Sequence, residues 1–311
     1  MASTDFMDSD RTIAVIRYPS LVQWLADRLV RVELENIAIA GSDAIPLPLF
    51  SQSDRQFGTF ASPFPLQWSK RGDHSAQTIG AAIVRSLTCQ TRDSDFAPAL
   101  WMHPEGWLYV SFGPQDLAKW LQTLVGAAPE LWLPARAEEG SRKMESGISR
   151  DPVLFELQYA HARCCSLLRL ARQEKCLPLD DIGDLGDPSC WQTPTGELLL
   201  QAKPEQALLR ALMQFPQSLS PQKAIYGNRL LKVLGSETRL EWSLPQKHLR
   251  KQAWVWSQLF CDFYRECRLF GDVRETSPAL ARSRFALIAI VRKVLAFVLE
   301  DVLQLDAPAE L

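Results

Sequence analysis

From Val153 onward the apolar residues of this chain return at helical spacing, and this change of period constrains its fold more than any other feature. Leu157, Ala160, Cys164, Leu168 and Ala171 keep to one face of a helix predicted over Val153–Lys175. Pro204–Phe215 carries Pro204 and Glu205 in its first turn, with Leu208, Leu209 and Leu212 behind them and a predicted stop at Phe215-Pro216. Leu244–Leu269 and Ala279–Leu303 read as further helices, and the intervening strand signal is a short pair around Leu230–Leu240. Residues 152–311 are therefore expected to form an all-α helical bundle.

The first half mixes periods. An apolar run at 12–18 precedes an amphipathic stretch at 20–32, with Leu21, Trp24, Leu25, Leu29 and Val30 at helical spacing. Phe57–Phe60 and Leu66–Trp68 read as short extended segments, and Ala76–Leu87 as a helix. Ala99–Met102 and Trp107–Phe112 form a predicted strand pair around the turn His103-Pro104-Glu105-Gly106. Asp116–Val125 closes the unit as a helix with Leu117, Trp120, Leu121 and Leu124 in its stripe. Residues 11–133 are thus expected to be an α+β domain. Residues 134–151, nearly devoid of large apolar side chains, read as a linker, and residues 1–10, with Asp5, Asp8 and Asp10, as a disordered tail.

Composition removes several functional classes. With 47% hydrophobic residues in 311, and Gly and Pro scattered without a period, the chain is neither disordered overall nor fibrous. Its longest apolar run, Phe285–Val291, stops at Arg292-Lys293, far below the roughly 20 residues a membrane helix needs, so no membrane partner is expected. The acidic start is unlike a secretory signal, which points to a cytoplasmic location. Seven cysteines form no CxxC pair and are expected to be buried thiols, and the histidines at 74, 103, 161 and 248 build no metal motif. No metal site is expected. Net charge is -2, with 14 basic against 17 acidic residues in 1–150 and 20 against 19 in the remainder. That balance is not the footprint of a bulk-basic binder and gives no reason to expect DNA, although a local basic patch can still meet phosphates.

The segment Gln158-Tyr-Ala-His-Ala-Arg163 resembles the opening helix of the DALR anticodon-binding domain of arginyl-tRNA synthetases, whose mark is this hexapeptide. Further landmarks follow in the family's order: Lys203-Pro-Glu-Gln-Ala-Leu-Leu with Phe215-Pro216, then Phe260-Cys-Asp-Phe-Tyr-Arg-Glu-Cys-Arg268, then Leu305-Asp-Ala-Pro-Ala-Glu-Leu311, where the family has an Ala-Pro-Glu-Arg-Met tail. Gly58-Thr-Phe, the helix at 76–87, the Pro-Glu-Gly-Trp turn at 104–107 and the helix at 115–125 resemble, more weakly, the family's N-terminal additional domain. The resemblance implies a DALR-like bundle over 152–311. It also implies a tRNA partner, with arginine-accepting tRNA (tRNA-Arg) the natural candidate.

The ATP motifs of that family are absent from this sequence. No two histidines stand within four residues of each other, so a His-x-Gly-His motif does not exist. Lys143-Met-Glu-Ser-Gly147 is only a faint likeness of the mobile Lys-Met-Ser-Lys loop. No ATP or other cofactor and no catalytic residue is therefore expected, and the chain reads as no enzyme on its own.

The RNA-contacting candidates follow from the resemblance and from helix geometry. Tyr159 and Arg163, four apart, share a helix face, which suits one ring and one cation meeting the same ligand. Arg169, Arg172 and Lys175 extend a basic edge that reads equally as an ordinary solvated face. His161 reads as an interior hydrogen-bonder, and Phe260, Phe263 and Tyr264 mainly as packing residues, Tyr264 being kept among the RNA candidates. In the first half, Trp107 takes the place of the aromatic with which the family meets the tRNA D-loop corner, while Tyr109 replaces its asparagine. Rings at these positions still permit base stacking, but not the amide hydrogen bonds that would choose the base. The family's frequent Tyr-Leu pair falls on Gln252-Ala253, without a ring.

The leading expectation is a non-catalytic tRNA-binding protein that touches the anticodon arm through the bundle and the D-loop corner through the first domain, as an adaptor for a tRNA-modifying or translation protein. Two alternatives stay open. One is a protein-interaction scaffold, suggested by tryptophans on polar segments such as Trp191 and Trp242. The other is a trans-acting part of arginylation.

Overall fold

The computed structural model describes residues 21, 24, 25, 28, 50–51, 57–70, 73–91, 96–126, 135–136, 147–174, 188–219, 241–242 and 246–311. The expected tail at 1–10 and strand pair at 230–240, like residues 137–146 of the expected linker, lie outside them.

Among the described residues, the first half holds a four-stranded antiparallel sheet in the order β1 (Phe50–Ser51), β2 (Thr59–Ser62), β4 (Leu108–Ser111), β3 (Ala99–Met102). The predicted β3–β4 pair forms around the predicted turn. His103 N–H donates to Trp107 O at 2.8 Å and Gly106 N–H to His103 O at 2.9 Å. Gly106 has φ +87°, and a Cβ there would stand 2.7 Å from Leu66, so the turn requires glycine twice over. Register places Phe60, Val110 and Leu100 on one sheet face and Ala61, Tyr109 and Trp101 on the other. Helices α2 (Ala76–Thr91) and α3 (Pro114–Gly126) cover the predicted segments and exceed them at their ends. Trp24, Phe96 and Phe112 meet edge to face in the core, with ring centroids 5.4 to 6.2 Å apart.

Leu66–Trp68 departs from expectation: it lies in a short helix, α1 (Phe64–Ser69), rather than in an extended segment. Ser62 Oγ accepts from Phe64 N–H at 3.2 Å, and Pro65 sits in the first turn, where a missing N–H costs no helical bond. Six residues are too few for a period to declare itself.

The second half is helical. It contains α4 (Pro152–Gln173), a 3₁₀ turn at Pro188–Trp191, α5 (Lys203–Leu219), α6 (Gln246–Glu266), α7 (Asp272–Thr276) and α8 (Pro278–Phe297). Helix α8 is the bundle's centre: Phe285–Val291 is buried throughout. Helix α4 packs on α6 and α8, and α5 packs on α6. Two predicted ends are corrected. α5 does not stop at Phe215-Pro216 but runs on to Leu219, since proline removes one backbone bond without preventing a buried helix from continuing. α8 does not continue to Leu303 as α-helix. It widens into a π turn at Val298–Leu303 and ends at Gln304, which takes the left-handed conformation with φ 58°.

One hydrophobic core runs through both halves. Its seam lies where α3 meets the 3₁₀ turn and α8. Trp191, fully buried, donates from Nε1 to Gln122 Oε1 at 3.1 Å, and Lys293 Nζ donates to the Val125 carbonyl at 2.6 Å, capping the C-terminal end of α3. Trp191 is therefore a core residue rather than an interface tryptophan. Of the expected linker, Ala135–Arg136 (β5) pair in parallel with Glu241–Trp242 (β6), and Gly147 N–H donates to Asp306 Oδ2 at 2.6 Å.

The buried-thiol expectation holds for Cys164 and Cys267, whereas Cys89 is exposed and Cys165, Cys190 and Cys261 are intermediate. Cys89 is exposed because it points away from the α2 stripe of Ile79, Ile83 and Leu87 that faces the core. Cys176 lies outside the described residues. No helix among the described residues is long and apolar enough to cross a membrane.

Candidate nucleic-acid interface

Helix α4 carries most of the residues singled out by the sequence. Its start is set by Asp151, whose Oδ1 accepts from Val153 N–H at 3.0 Å, with Pro152 at the first position. Beyond its core stripe the helix presents two more, each with its own partner.

The first stripe, Gln158, His161, Cys165, Arg169 and Arg172, follows helical steps of three and four, and Gln158, His161 and Arg169 reach the C-terminal segment. Gln158 is fully buried and uses its whole amide. Nε2 donates to Gly147 O and Asp306 O, both at 3.0 Å, and Oε1 accepts from Ser149 N–H at 2.8 Å. His161, 6% exposed, places Nδ1 2.9 Å from Pro308 O. A carbonyl only accepts, so Nδ1 carries the proton and Nε2 is left facing Cys165 Sγ at 3.9 Å. Arg169 pairs with Glu310 and donates to Ala309 O at 3.2 Å. Two conspicuous polar residues of the hexapeptide therefore clasp the chain's last residues. Arg169 is tied to the same segment, while Arg172 is exposed on the helix's last turn. Lys175 lies outside the described residues.

Burial lowers the His161 pKa below its ordinary 6.5; the Pro308 hydrogen bond opposes this and the Arg292 charge adds to it. The native state thus resists a proton that the unfolded chain accepts. Its contribution to stability is complete above 6.5 and is lost as pH falls through the lowered native value. Unfolding free energies measured in urea at about pH 8 and about pH 5 should show a decline that is shallower in His161→Asn, whose amide keeps a donor for Pro308 O but does not titrate. Equal slopes in the two proteins would contradict this assignment.

The second stripe, Glu156, Tyr159 and Arg163, faces α6. Gln258 Nε2 donates to Glu156 Oε2 at 3.0 Å, and two turns on the Arg163 guanidinium lies 4.7 Å from the Tyr264 ring centroid while its Nη2 bonds the Tyr264 hydroxyl. Tyr264 in turn stacks on Phe260, with centroids 6.4 Å apart and planes 13° apart. Phe260 and Phe263 are buried as expected, whereas Tyr264 is 38% exposed. The structure therefore joins Arg163 to Tyr264 across the two helices, with exposed Tyr159 one turn before Arg163 on α4. Arg163 is half-buried and committed to Tyr264, and its Nε is buried without a hydrogen-bond partner. Arg169 and Arg172 turn toward the other side of the helix, so the four α4 candidates do not make one continuous edge.

Trp254, 46% exposed, stands on the same face of α6 one turn before Gln258. The family's Tyr-Leu pair falls on Gln252-Ala253, which carry no ring, and the exposed ring of this stretch is the tryptophan next to them. The available signal was a large aromatic whose helical neighbour four residues on, Gln258, is polar. With Phe155 and Tyr159, at 41% and 46% exposure, it makes the α4–α6 seam a surface of exposed rings.

Trp107 and Tyr109 lie in the first half and are not brought to this seam. Tyr109, 9% exposed, lies flat against Trp101, with centroids 5.4 Å apart and planes 9° apart, and His103 lies 5.8 Å away. Its ring is thus already stacked within the protein, and Trp107 is half-buried. Trp101, which the sequence did not single out, supplies that stacking partner.

The thiols nearby are poor nucleophiles. Burial pushes Cys164 well up and raises Cys165 and Cys261, and Cys267 is pushed up to about 11, by burial first and then by the Glu205 charge. Among the described residues no three His, Cys, Asp or Glu side chains gather as a metal site.

Comparison with known proteins points in one direction. The chain is 31% identical over 158 residues to an arginine–tRNA ligase of Synechococcus sp. (strain JA-3-3Ab), a match covering 51% of this chain and 22% of the ligase. It is 31% identical over 160 residues to that of Symbiobacterium thermophilum, covering 51% and 23%, and 35% identical over 153 residues to that of Salinibacter ruber, covering 49% and 20%. No protein-family model matches the chain, and no solved structure matches it. The chain is thus similar to arginine–tRNA ligases over about half of its own length and spans only about a fifth of theirs.

Proposed function

We propose that this chain is a tRNA-binding protein derived from an arginine–tRNA ligase, and that it does not aminoacylate by itself. The observation that carries the reading is the α4–α6 seam, where Arg163 of the Gln-Tyr-Ala-His-Ala-Arg hexapeptide meets exposed Tyr264, exposed Tyr159 stands one turn before it on α4, and exposed Trp254 lies further toward the start of α6. Rings of this kind stack on splayed bases of a single-stranded loop, while arginines meet the phosphates between them. The anticodon loop is the part of a tRNA that offers such bases, and arginine-accepting tRNA is the first candidate because the matched relatives are arginine–tRNA ligases. In this reading the helical half is the DALR-like anticodon-binding module. With neither ATP motif in the sequence, the family's adenylation chemistry is assigned to no residue here. Trp191, one of the two tryptophans that favoured a protein scaffold, is wholly interior, which weakens that alternative.

Fluorescence polarisation with total tRNA tests the reading. Binding should appear at about 50 mM salt and weaken toward about 200 mM, with a log–log slope near -0.7 for each phosphate neutralised on a single-stranded loop. No binding at the lower salt would remove the RNA-binding proposal.

A further inference from the structure

We infer that Glu156 and Gln258 form a reader for the Watson–Crick edge of an unstacked guanine, with Trp254 and Tyr159 as the rings that hold the base. The inference rests on the RNA-binding reading above and assigns that seam a base preference. Gln258 Nε2 donates to Glu156 Oε2 at 3.0 Å across the seam. That bond orients the carboxylate and leaves Oε1 and a second lone pair of Oε2 free to accept. Trp254 lies one turn before Gln258 on α6 and Tyr159 one turn beyond Glu156 on α4, so a 46%-exposed ring stands beside the carboxylate–amide pair on either helix.

Donor and acceptor geometry selects the base. Guanine is the standard base with two neighbouring N–H donors on that edge, N1–H and the N2 amine, and these match the two oxygens of a carboxylate. Adenine sets its N1 acceptor beside the N6 amine, cytosine its N3 acceptor beside the N4 amine, and uracil flanks N3–H with carbonyls. Each of the three turns a lone pair toward the carboxylate. A carboxylate on an RNA-facing surface repels phosphates and weakens binding to every sequence, so it gives selectivity in exchange for affinity. Charge-assisted bonds to N1–H and N2–H recover that loss for guanine alone.

The full chain is titrated with a fluorescent hairpin RNA whose loop carries one guanosine, and with hairpins carrying inosine, which keeps N1–H but lacks the N2 amine, or adenosine in its place. The guanosine hairpin should bind about tenfold or more tighter than either, the worth of one charge-assisted bond. Glu156→Gln, checked for folding by its thermal melt, should erase that preference. Trp254→Ala should weaken all three hairpins by about tenfold while keeping their order. Equal binding of the three hairpins by a protein that does bind tRNA, or an equal loss for all three in Glu156→Gln, would overturn the guanine assignment alone. Absence of tRNA binding at low salt would instead remove the RNA reading beneath it.

Discussion

Replacing Glu205 by Ala should lower the unfolding free energy by about 3 to 5 kcal/mol, the usual cost of leaving one member of a buried ion pair alone. Glu205 has a side chain only 1% exposed at the start of α5, and Arg284, 11% exposed, reaches it from α8. Arg284 Nε donates to Glu205 Oε1 at 2.6 Å, and Ala202 N–H donates to Oε2 at 2.8 Å. One carboxylate thereby closes the first turn of its own helix and neutralises a cation from another. Arg284 donates besides to the Arg268 carbonyl at 2.6 Å, so it is held in place and does not swing out to water once its partner is removed. The alanine variant leaves that charge and an orphaned N–H in a dry site. Urea unfolding followed by circular dichroism measures the loss, and Glu205→Gln, which keeps acceptor capacity without the charge, should fall between wild type and alanine. A loss below about 1 kcal/mol for the alanine variant would mean that water reaches Arg284 and that the pair contributes little.

Trp191→Ala should cost a similar amount, about 3 to 5 kcal/mol, by a different mechanism. The indole is fully buried at the meeting of α3, the 3₁₀ turn and α8, and its Nε1 donates to Gln122 Oε1 at 3.1 Å. Its removal opens a cavity and leaves the Gln122 oxygen without its strongest donor, since what remains there is the Cys190 thiol at 3.8 Å. Trp191→Phe separates the two contributions. It keeps most of the ring volume and should lose about 1 to 3 kcal/mol for the unsatisfied amide oxygen. Since the seam joins the two halves of the chain, the alanine variant should also broaden the unfolding transition, which differential scanning calorimetry detects as a van't Hoff enthalpy below the calorimetric one. An unchanged, fully cooperative transition would mean that Lys293 and the remaining apolar contacts couple the halves without the indole.

Glu205 and Trp191 are each legible in the chain only in part. Glu205 was visible as an acidic residue in the first turn of a predicted helix, but its partner comes from 79 residues away. Trp191 was visible only as a tryptophan on a polar stretch, which favoured an interface. In the fold it is interior, because that stretch turns inward between two helices. Helices and the β3–β4 hairpin were read within a few residues because a repeating apolar stripe and a Pro-Glu-Gly turn are local properties. The errors fell where local pattern is weakest: six residues at Phe64–Ser69, and the helix ends at Pro216 and Phe297, where burial and a π turn decided the outcome.

The candidate site divides in the same way. The hexapeptide and the i, i+4 placement of Tyr159 and Arg163 are properties of the sequence alone. So are the lack of a His-x-Gly-His motif and the helical character of the second half. Only the tertiary structure decided that Arg163 spends its guanidinium on Tyr264, 101 residues away. It likewise decided that Gln158 and His161 hold the C-terminal segment, and that Gln258 comes beside Glu156. The reason is physical. Periodicity states which face of a helix is buried or exposed, but the partner of that face is chosen by packing between segments far apart in the chain, and no local pattern records that choice.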